Sequence, residues 1–177
     1  AWMVFTDDGT PAAFASLEGE AARVFMEPRF KGRGIGSHLA ARLEAHARGH
    51  LGQPDQALET AQGTLPAFEK LGMMHFSGFY LGEVAGLQLA TGDVATALRT
   101  IDAAIIAARR YGDGYFLSPL HRRRAEILAR SPGTSPDEVT AALQEAVTIA
   151  KAQGATTFAQ EAKALLGSAT ASRTAVR

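Results

Sequence analysis

The stretch that decides the fold of this chain is DVATALRTIDAAIIAARRYG, residues 93–112. Its apolar residues recur every three or four positions, which is the period of a helix with one buried face. The pattern opens after Gly92 and stops at Gly112, and glycine is favoured just after a helix because that residue often takes the left-handed conformation. The stretch therefore predicts one helix between two glycines.

The same pattern occurs three times after residue 51. Asp93–Thr100 lies 40 residues after Gln53–Thr60, and a third copy begins at Asp137. Each copy opens a helix that stops at a glycine, and an aromatic residue then starts a second helix. Spacings of 40 and about 42–45 residues are typical of helical-hairpin repeats, so we predict three stacked hairpins with at least five helices. The stops are Gly72, Gly112 and Gly154, and the aromatic residues are Phe76, Tyr115, Phe116 and Phe158.

The repeats also predict a common packing position. In the register of the matching segments, Leu58, Leu98 and Leu143 follow an alanine in each copy. We expect these three leucines to occupy equivalent buried sites, because each hairpin has an apolar face that only a neighbouring hairpin can cover.

Residues 52–167 resemble tetratricopeptide-like (TPR-like) repeats of the longer-helix variety, although the shorter pattern with its Trp and Gly-Tyr positions is absent. Such repeats form the C-terminal parts of bacterial adenylate-cyclase-type signalling ATPases and AAA-type transcriptional activators. The resemblance implies a mainly α fold and a regulatory surface for a protein or peptide partner. Residues 168–177 are small and polar, and they predict a disordered tail. The likeness rests on Gly92-Asp93, Ala97-Leu98, Gly112, residues 119–128 and residues 146–155.

The first 51 residues differ from the repeats and predict a small α+β segment. Trp2–Phe5, Ala12–Leu17 and Arg23–Met26 are predicted strands, and the turn at Asp8-Gly9 joins the first two as a hairpin. A glycine-rich loop follows the third strand. A helix pattern then begins, with an apolar residue at every fourth position up to Leu51.

The glycine-rich loop carries a second resemblance. Residues 1–50 resemble part of a GCN5-related N-acetyltransferase (GNAT), in which this strand–loop–helix unit binds acetyl-CoA. Glycines let the backbone approach a pyrophosphate, and the N–H groups at a helix N-terminus attract its charge. The resemblance implies that the backbone of Met26 pairs with the pantetheine arm. It also implies that the loop holds the pyrophosphate through Lys31, Gly32, Arg33, Gly34, Ile35, Gly36 and Ser37.

Two interpretations compete for residues 58–73. Leu58–Thr60 and Ala67–Met73 resemble a later GNAT strand and the closing motif of that family, yet the same residues fit the 40-residue repeat. In the GNAT register, Phe68 replaces the tyrosine that often protonates the departing thiolate, and phenylalanine has no proton to give. We therefore assign no catalytic residue. The main hypothesis is a helical-repeat interaction module with a vestigial or partial acetyl-CoA loop, and the alternative is a GNAT-type N-acetyltransferase or a fragment of one.

Composition bears on the remaining classes. The 18 Lys+Arg residues balance the 18 Asp+Glu residues, so there is no broad electrostatic case for a nucleic acid or an acidic membrane surface. No apolar run approaches the ~20 residues of a membrane span. The sequence has no cysteine and opens without an apolar leader, and we expect a cytoplasmic protein.

Other polar groups are interpreted as structural. His46 and His50 are spaced for a metal ion on a helix but lack a third ligand, so we expect no metal. The run Arg122–Arg124 is interpreted as a solvated helix face. Ser118, His121 and Asp102 contain the types of a catalytic triad, but their spacing does not indicate one.

Overall fold

The structure is a computed structural model, and it describes residues 2–5, 11–18, 21–26, 44, 48–49, 52–70 and 77–175. The chain divides into two compact units, residues 1–73 and 74–177. The described residues are mainly helical, as the sequence predicts.

The first unit contains an antiparallel sheet of three described strands in the order β1-β2-β3. β2 pairs with both neighbours, and Phe14 lies opposite Met3 on one side and Phe25 on the other. The glycine-rich loop and most of the helix of the predicted α+β segment lie outside the described residues, so that segment as a whole stays a prediction. The strands are β1 (Trp2–Phe5), β2 (Pro11–Glu18) and β3 (Ala21–Met26).

Helix α1 (Pro54–Lys70) also belongs to this unit. The helix includes Leu58–Thr60, so the interpretation of that segment as a later GNAT strand is wrong. Arg48 donates from its guanidinium to Gln56 at 2.7 Å, which ties the start of α1 to the residues before it. This compact unit extends to residue 73, beyond the change in sequence character at residue 51.

The second unit consists of five helices in its described part. Consecutive helices pack against each other, and α4 also contacts α2 and α6. With α1, the prediction of at least five helices after residue 52 is confirmed, whereas the assignment to TPR-like repeats remains an interpretation. The elements are α2 (Ser77–Ala90), α3 (Val94–Arg110), a 3₁₀ turn (Gly114–Phe116), α4 (Leu117–Leu128), α5 (Pro136–Ala152) and α6 (Thr156–Ala175).

Helices α3 and α5 end two residues before the predicted glycine stops, at Arg110 and Ala152. Gly112 and Gly154 have φ angles of 76° and 67°, which glycine adopts without the steric cost that a Cβ would bring. At the start of α3, the Asp93 carboxylate accepts a backbone N–H of the first turn. At the start of α5, Ser135 and Glu138 form a reciprocal capping box. Gly72 and Phe76, the equivalent residues of the first copy, lie outside the described residues.

Helices α3 and α5 bury equivalent residues. They begin at Val94 and Pro136, which are 42 residues apart, and both are 17 residues long. At this spacing four buried positions of one helix coincide with four of the other, so the two helices present the same face to the core. The pairs are Ile101 with Leu143, Ala104 with Ala146, Ile105 with Val147, and Ala108 with Ala150.

The predicted equivalence of Leu58 and Leu98 with Leu143 is wrong, although Leu58 and Leu98 do share one position, the fifth residue of α1 and of α3. Leu143 is buried, but Leu58 and Leu98 are only half-buried, and Leu143 aligns with Ile101 instead. The predicted register aligns Asp137 with Asp93, the residue before α3. The phase of a helix is counted from its cap, however, and the cap of α5 is Ser135.

Helix α2 approaches its neighbours through three glycines spaced four residues apart, Gly78, Gly82 and Gly86. A Cβ atom on Gly78 would lie 2.8 Å from the carbonyl oxygen of Ala104, and one on Gly82 would lie 2.4 Å from Cδ2 of Leu120. These distances are shorter than van der Waals contact, so glycine is what allows α3 and α4 to pack this closely on α2.

Helix α6 extends beyond the predicted end of the repeats. The sequence predicts a disordered tail from Ser168, whereas the helix continues to Ala175. Ala159 and Ala162 are buried on one side of α6, and Leu166 packs against a cluster of buried residues from α4 and α5. Over the part of the chain that the structure describes, no helix combines the length and the apolar character that crossing a membrane requires.

Candidate functional site

The predicted cofactor loop, Lys31–Ser37, lies outside the described residues. Met26, the remaining predicted cofactor residue, is the last residue of β3 and lies opposite Ala13 of β2. Within the part of the chain that the structure describes, β3 is an edge strand. Alternate backbone N–H and C=O groups along that edge have no strand partner there, and an extended amide ligand pairs with such an edge as another strand would.

This edge suits the ligand that the resemblance implies. A pantetheine arm carries two amide groups in an extended chain, and the resemblance places it at the backbone of Met26. The loop for the pyrophosphate would follow directly after the strand. Phe68, which takes the place of the family's tyrosine in that register, lies in α1.

The run of arginines in α4 is not a solvated face. Arg124 donates from Nε to Oδ1 of Asp102 in α3 at 2.7 Å. Arg123 forms ion pairs with Glu83 in α2 at 4.0 Å and with Glu126 at 3.4 Å. The side chains of Arg123 and Arg124 are only 31–33% exposed, and both pair with a carboxylate on a neighbouring helix.

Arg122 completes the same network on the other side of α4. Its guanidinium donates to Glu126 one turn along, and its Nε lies 3.7 Å from Glu161 of α6, an ion pair beyond hydrogen-bond distance. The expectation of a solvated face is wrong because each arginine meets a carboxylate from another helix. A phosphate group would have to displace these carboxylates, which disfavours the run as an anion site.

Ser118, His121 and Asp102 do not form a catalytic triad, in agreement with their spacing. The Ser118 hydroxyl donates to the Ala146 carbonyl oxygen at 2.9 Å inside the core. Asp102 is engaged by an arginine of α4. Among the described residues, the buried Nε2 of His121 has no hydrogen-bond partner, and burial lowers the pKa of this imidazole, with Glu145 opposing the shift.

A groove between α2 and α4 is too small for a cofactor. Its floor includes Phe79, Phe116 and Pro119, and charged side chains of both helices form its rim. The cavity has a volume of about 50 Å³, whereas pockets for drug-sized ligands span roughly 300–1,000 Å³. The groove could take no more than a side chain.

Aromatic rings connect the successive hairpins of the second unit. Phe79 and Phe116 lie 4.8 Å apart between ring centroids, and Tyr115 lies 5.5 Å from Phe116 and from Phe158. These are ordinary distances for attractive ring pairs. The aromatic residues that the sequence places after Gly112 and Gly154 therefore meet one another, and Phe79 of α2 joins them, so that these rings hold neighbouring helices together.

One exposed face of α3 combines arginine with a large apolar side chain. Ile106 is 66% exposed and shares this face with Arg99 and Arg110. This surface is not among the features predicted from the sequence. The available signal was the adjacent pair Ile105-Ile106, because only the first isoleucine fits the buried phase of the helix.

The described residues include no group of three or more histidine and acidic side chains that could hold a metal ion. His46 and His50, the pair with suitable spacing, lie outside these residues.

Comparisons with known proteins give one relative and one family. An uncharacterized protein of Rhizobium meliloti strain 1021 is 35% identical over 102 residues, which are 58% of this chain and 10% of that protein. The chain thus spans about a tenth of the length of this relative. The model of the acetyltransferase (GNAT) family matches residues 1–73, the same residues as the first compact unit, and this match supports a GNAT domain at the N-terminal end of the chain.

Proposed function

We propose that residues 1–73 act as a GNAT-type domain that binds acetyl-CoA and transfers its acetyl group to an amine. The observation that carries this proposal is the family match, whose bounds coincide with those of the first compact unit. The match extends over residues 58–73 and so favours the acetyltransferase assignment of this segment, although Leu58–Thr60 lie in helix α1 and not in the predicted strand.

In this proposal the loop Lys31–Ser37 holds the pyrophosphate. Its three glycines, Gly32, Gly34 and Gly36, let successive backbone N–H groups face the anion, and the following helix N-terminus adds partial positive charge. Lys31 stands where the family usually has arginine or glutamine, and lysine keeps the charge without the forked geometry of arginine. The edge of β3 at Met26 orients the pantetheine arm.

The bound cofactor would supply an acetyl group activated as a thioester. The chain itself would contribute orientation more than acid catalysis, because Phe68 has no proton to donate where many family members have tyrosine. We therefore expect slow transfer.

We propose a second role for the helical unit, as an interaction module for a protein or peptide. The shared buried phase of α3 and α5 favours a repeat array, and arrays of this kind commonly present binding surfaces. Because the matched residues make up only 10% of the relative, the chain would serve as one part of a larger protein. The cytoplasm suits both roles, since a sequence without cysteine has no disulfides to form.

The test of the first role is calorimetric titration of the full chain with CoA, followed by an assay of thiol release from acetyl-CoA with a panel of amines. Gly34→Glu adds bulk and a like charge in the loop, so it should abolish CoA binding. Gly167→Glu is the matched control, because that glycine lies in α6 with no atom within 4 Å of an added Cβ. Absence of CoA binding at millimolar ligand would reduce the loop to a structural turn. Binding without amine-dependent thiol release would leave a cofactor-binding domain that is not an enzyme.

A further inference from the structure

Helices α3 and α5 share their buried faces but not their exposed ones. At the spacing of 42 residues, five positions form an exposed stripe on each helix. In α3 the stripe contains two arginines and an isoleucine, and in α5 it contains two acids and no large apolar residue. The packing that α3 and α5 share therefore does not require the arginines and the isoleucine on the exposed stripe of α3. The stripe residues are Ala95, Arg99, Ala103, Ile106 and Arg110 in α3, and Asp137, Ala141, Glu145, Thr148 and Ala152 in α5.

The two arginines of the α3 stripe make no salt bridge within the described part of the chain. Arg99 donates to the Thr96 hydroxyl at 2.9 Å, and the Arg110 guanidinium lies 5.5 Å from the centre of the Tyr111 ring. Arg99 also acts weakly on Asp93, but that carboxylate is engaged as the cap of α3. All three arginines of α4, in contrast, are paired with carboxylates.

Ile106 lies between these two charges. It is 66% exposed, more than any other large hydrophobic residue in the described part of the chain. Along the helix axis it is about 10 Å from Arg99 and about 6 Å from Arg110. An apolar side chain flanked by two unpaired guanidinium groups is a surface that an acidic, partly apolar segment would complement.

We propose that the exposed stripe of α3 binds an acidic peptide segment of a partner protein. One large apolar side chain of the segment packs on Ile106, and carboxylates on either side of it pair with Arg99 and Arg110. Arginine suits this role because its planar guanidinium donates two parallel hydrogen bonds to one carboxylate. This inference rests on the proposed role of the helical unit as an interaction module, and it is independent of CoA binding.

A nucleic acid fits the same stripe less well. The chain has no net formal charge, so it lacks the positive electrostatic potential that attracts a polyanion. The phosphate–sugar backbone of a nucleic acid also has no large apolar group to pack on Ile106. The two ligand classes differ in their need for Ile106. A peptide requires this side chain, whereas a polyanion held by the arginines does not.

The experiment selects peptides on the full chain and then measures their affinity. Phage-displayed random peptides of about 12 residues, enough to reach from Arg99 to Arg110 as a helix, are panned against the parent chain. Selected peptides are labelled and titrated by fluorescence anisotropy with the parent, with the double variant Arg99→Glu/Arg110→Glu, and with Ile106→Ser. Arg130→Glu is the control, since Arg130 is also exposed but lies outside the stripe. Circular dichroism establishes that each variant is folded.

We expect the selected peptides to carry Asp or Glu on both sides of a large apolar residue. Their affinity should fall about tenfold or more with the double variant and with Ile106→Ser, and should be unchanged with Arg130→Glu. Peptides that bind equally to all variants would overturn the α3 surface while leaving the interaction module in place. No enrichment of any peptide would overturn both. A single-stranded oligonucleotide whose binding needs the arginines but not Ile106 would show a nucleic-acid surface instead.

Discussion

Helices α3 and α5 have the same length and the same buried phase, yet they differ at their N-termini and on their exposed faces. Asp93 alone caps α3, whereas α5 has a reciprocal capping box of Ser135 and Glu138. Packing between hairpins constrains the inner face, because a change there affects two neighbours. The outer face is free of that constraint. In the proposal above, the difference between the two exposed faces marks α3 as the helix that contacts a partner.

The largest expected effect comes from truncating a side chain on the buried face of α3 or α5. Ile101→Ala and Leu143→Ala should each lower the free energy of unfolding by about 2–5 kcal/mol, because both side chains are buried and equivalent. Leu98→Ala should cost less, since Leu98 is half-buried. Urea unfolding of the full chain, followed by circular dichroism, measures the differences.

The control for this prediction is Ile106→Ala, an exposed position on the same helix, which should change stability by less than about 0.5 kcal/mol. A Leu98→Ala loss equal to that of Leu143→Ala would contradict the 42-residue register and restore the pairing that the sequence suggested.

A smaller effect tests how closely α3 packs on the preceding helix. Gly78→Ala would place a Cβ 2.8 Å from a backbone oxygen of α3 that has little freedom to move. The strain should cost about 1–3 kcal/mol in thermal or urea unfolding. Gly167→Ala is the matched substitution in α6, where an added Cβ meets nothing within 4 Å, and it should stabilise the chain by about 0.5–1 kcal/mol. Equal effects at the two glycines would show that α2 and α3 pack less tightly than described.

The smallest expected effect concerns pH and the imidazole of His121. Burial is the main cause that lowers the folded-state pKa of His121, and Arg109 and Arg124 act in the same direction while Glu145 and Asp102 oppose it. The unfolded chain then binds the proton more tightly than the folded chain. The free energy of unfolding should be highest above the ordinary histidine pKa of about 6.5. It should fall as the pH drops through that value and level off below the folded-state pKa.

His121→Gln should remove this pH dependence, which urea midpoints measured between neutral and mildly acidic pH would reveal. The carboxylates of Asp93 and Glu138 provide a separate window. Hydrogen bonds from Thr96 and Ser135 lower their pKa values, so their contribution is lost only as pH falls below about 4. A slope near neutral pH that persists in His121→Gln would point to another group.

The sequence alone predicts the helices of the second unit and where two of them end. The period of apolar residues and the glycines Gly112 and Gly154 are local signals, and each depends on a few neighbouring residues. The family resemblance of the first unit likewise comes from a contiguous motif, the loop Lys31–Ser37 behind its strand. Such signals need no knowledge of the tertiary structure.

The interactions between helices could not be predicted in the same way. The partners of the arginine run, Asp102, Glu83 and Glu161, lie on three other helices, and only the crossing geometry brings them to α4. The register of the third copy depends on the loop before α5, whose cap is Ser135. The exposed face at Ile106 becomes apparent only when the buried phase of α3 is known from its neighbours.

The three glycines of α2 have a consequence for the order of folding. Together they make this 14-residue segment a weaker helix former than alanines would, by about 2–3 kcal/mol. The segment leaves the ribosome before α3 and α4, the helices against which its glycines pack. We therefore expect α2 to remain a flexible chain until those helices have been synthesised. In pulse-labelling hydrogen exchange during refolding, its amides should gain protection later than those of α3.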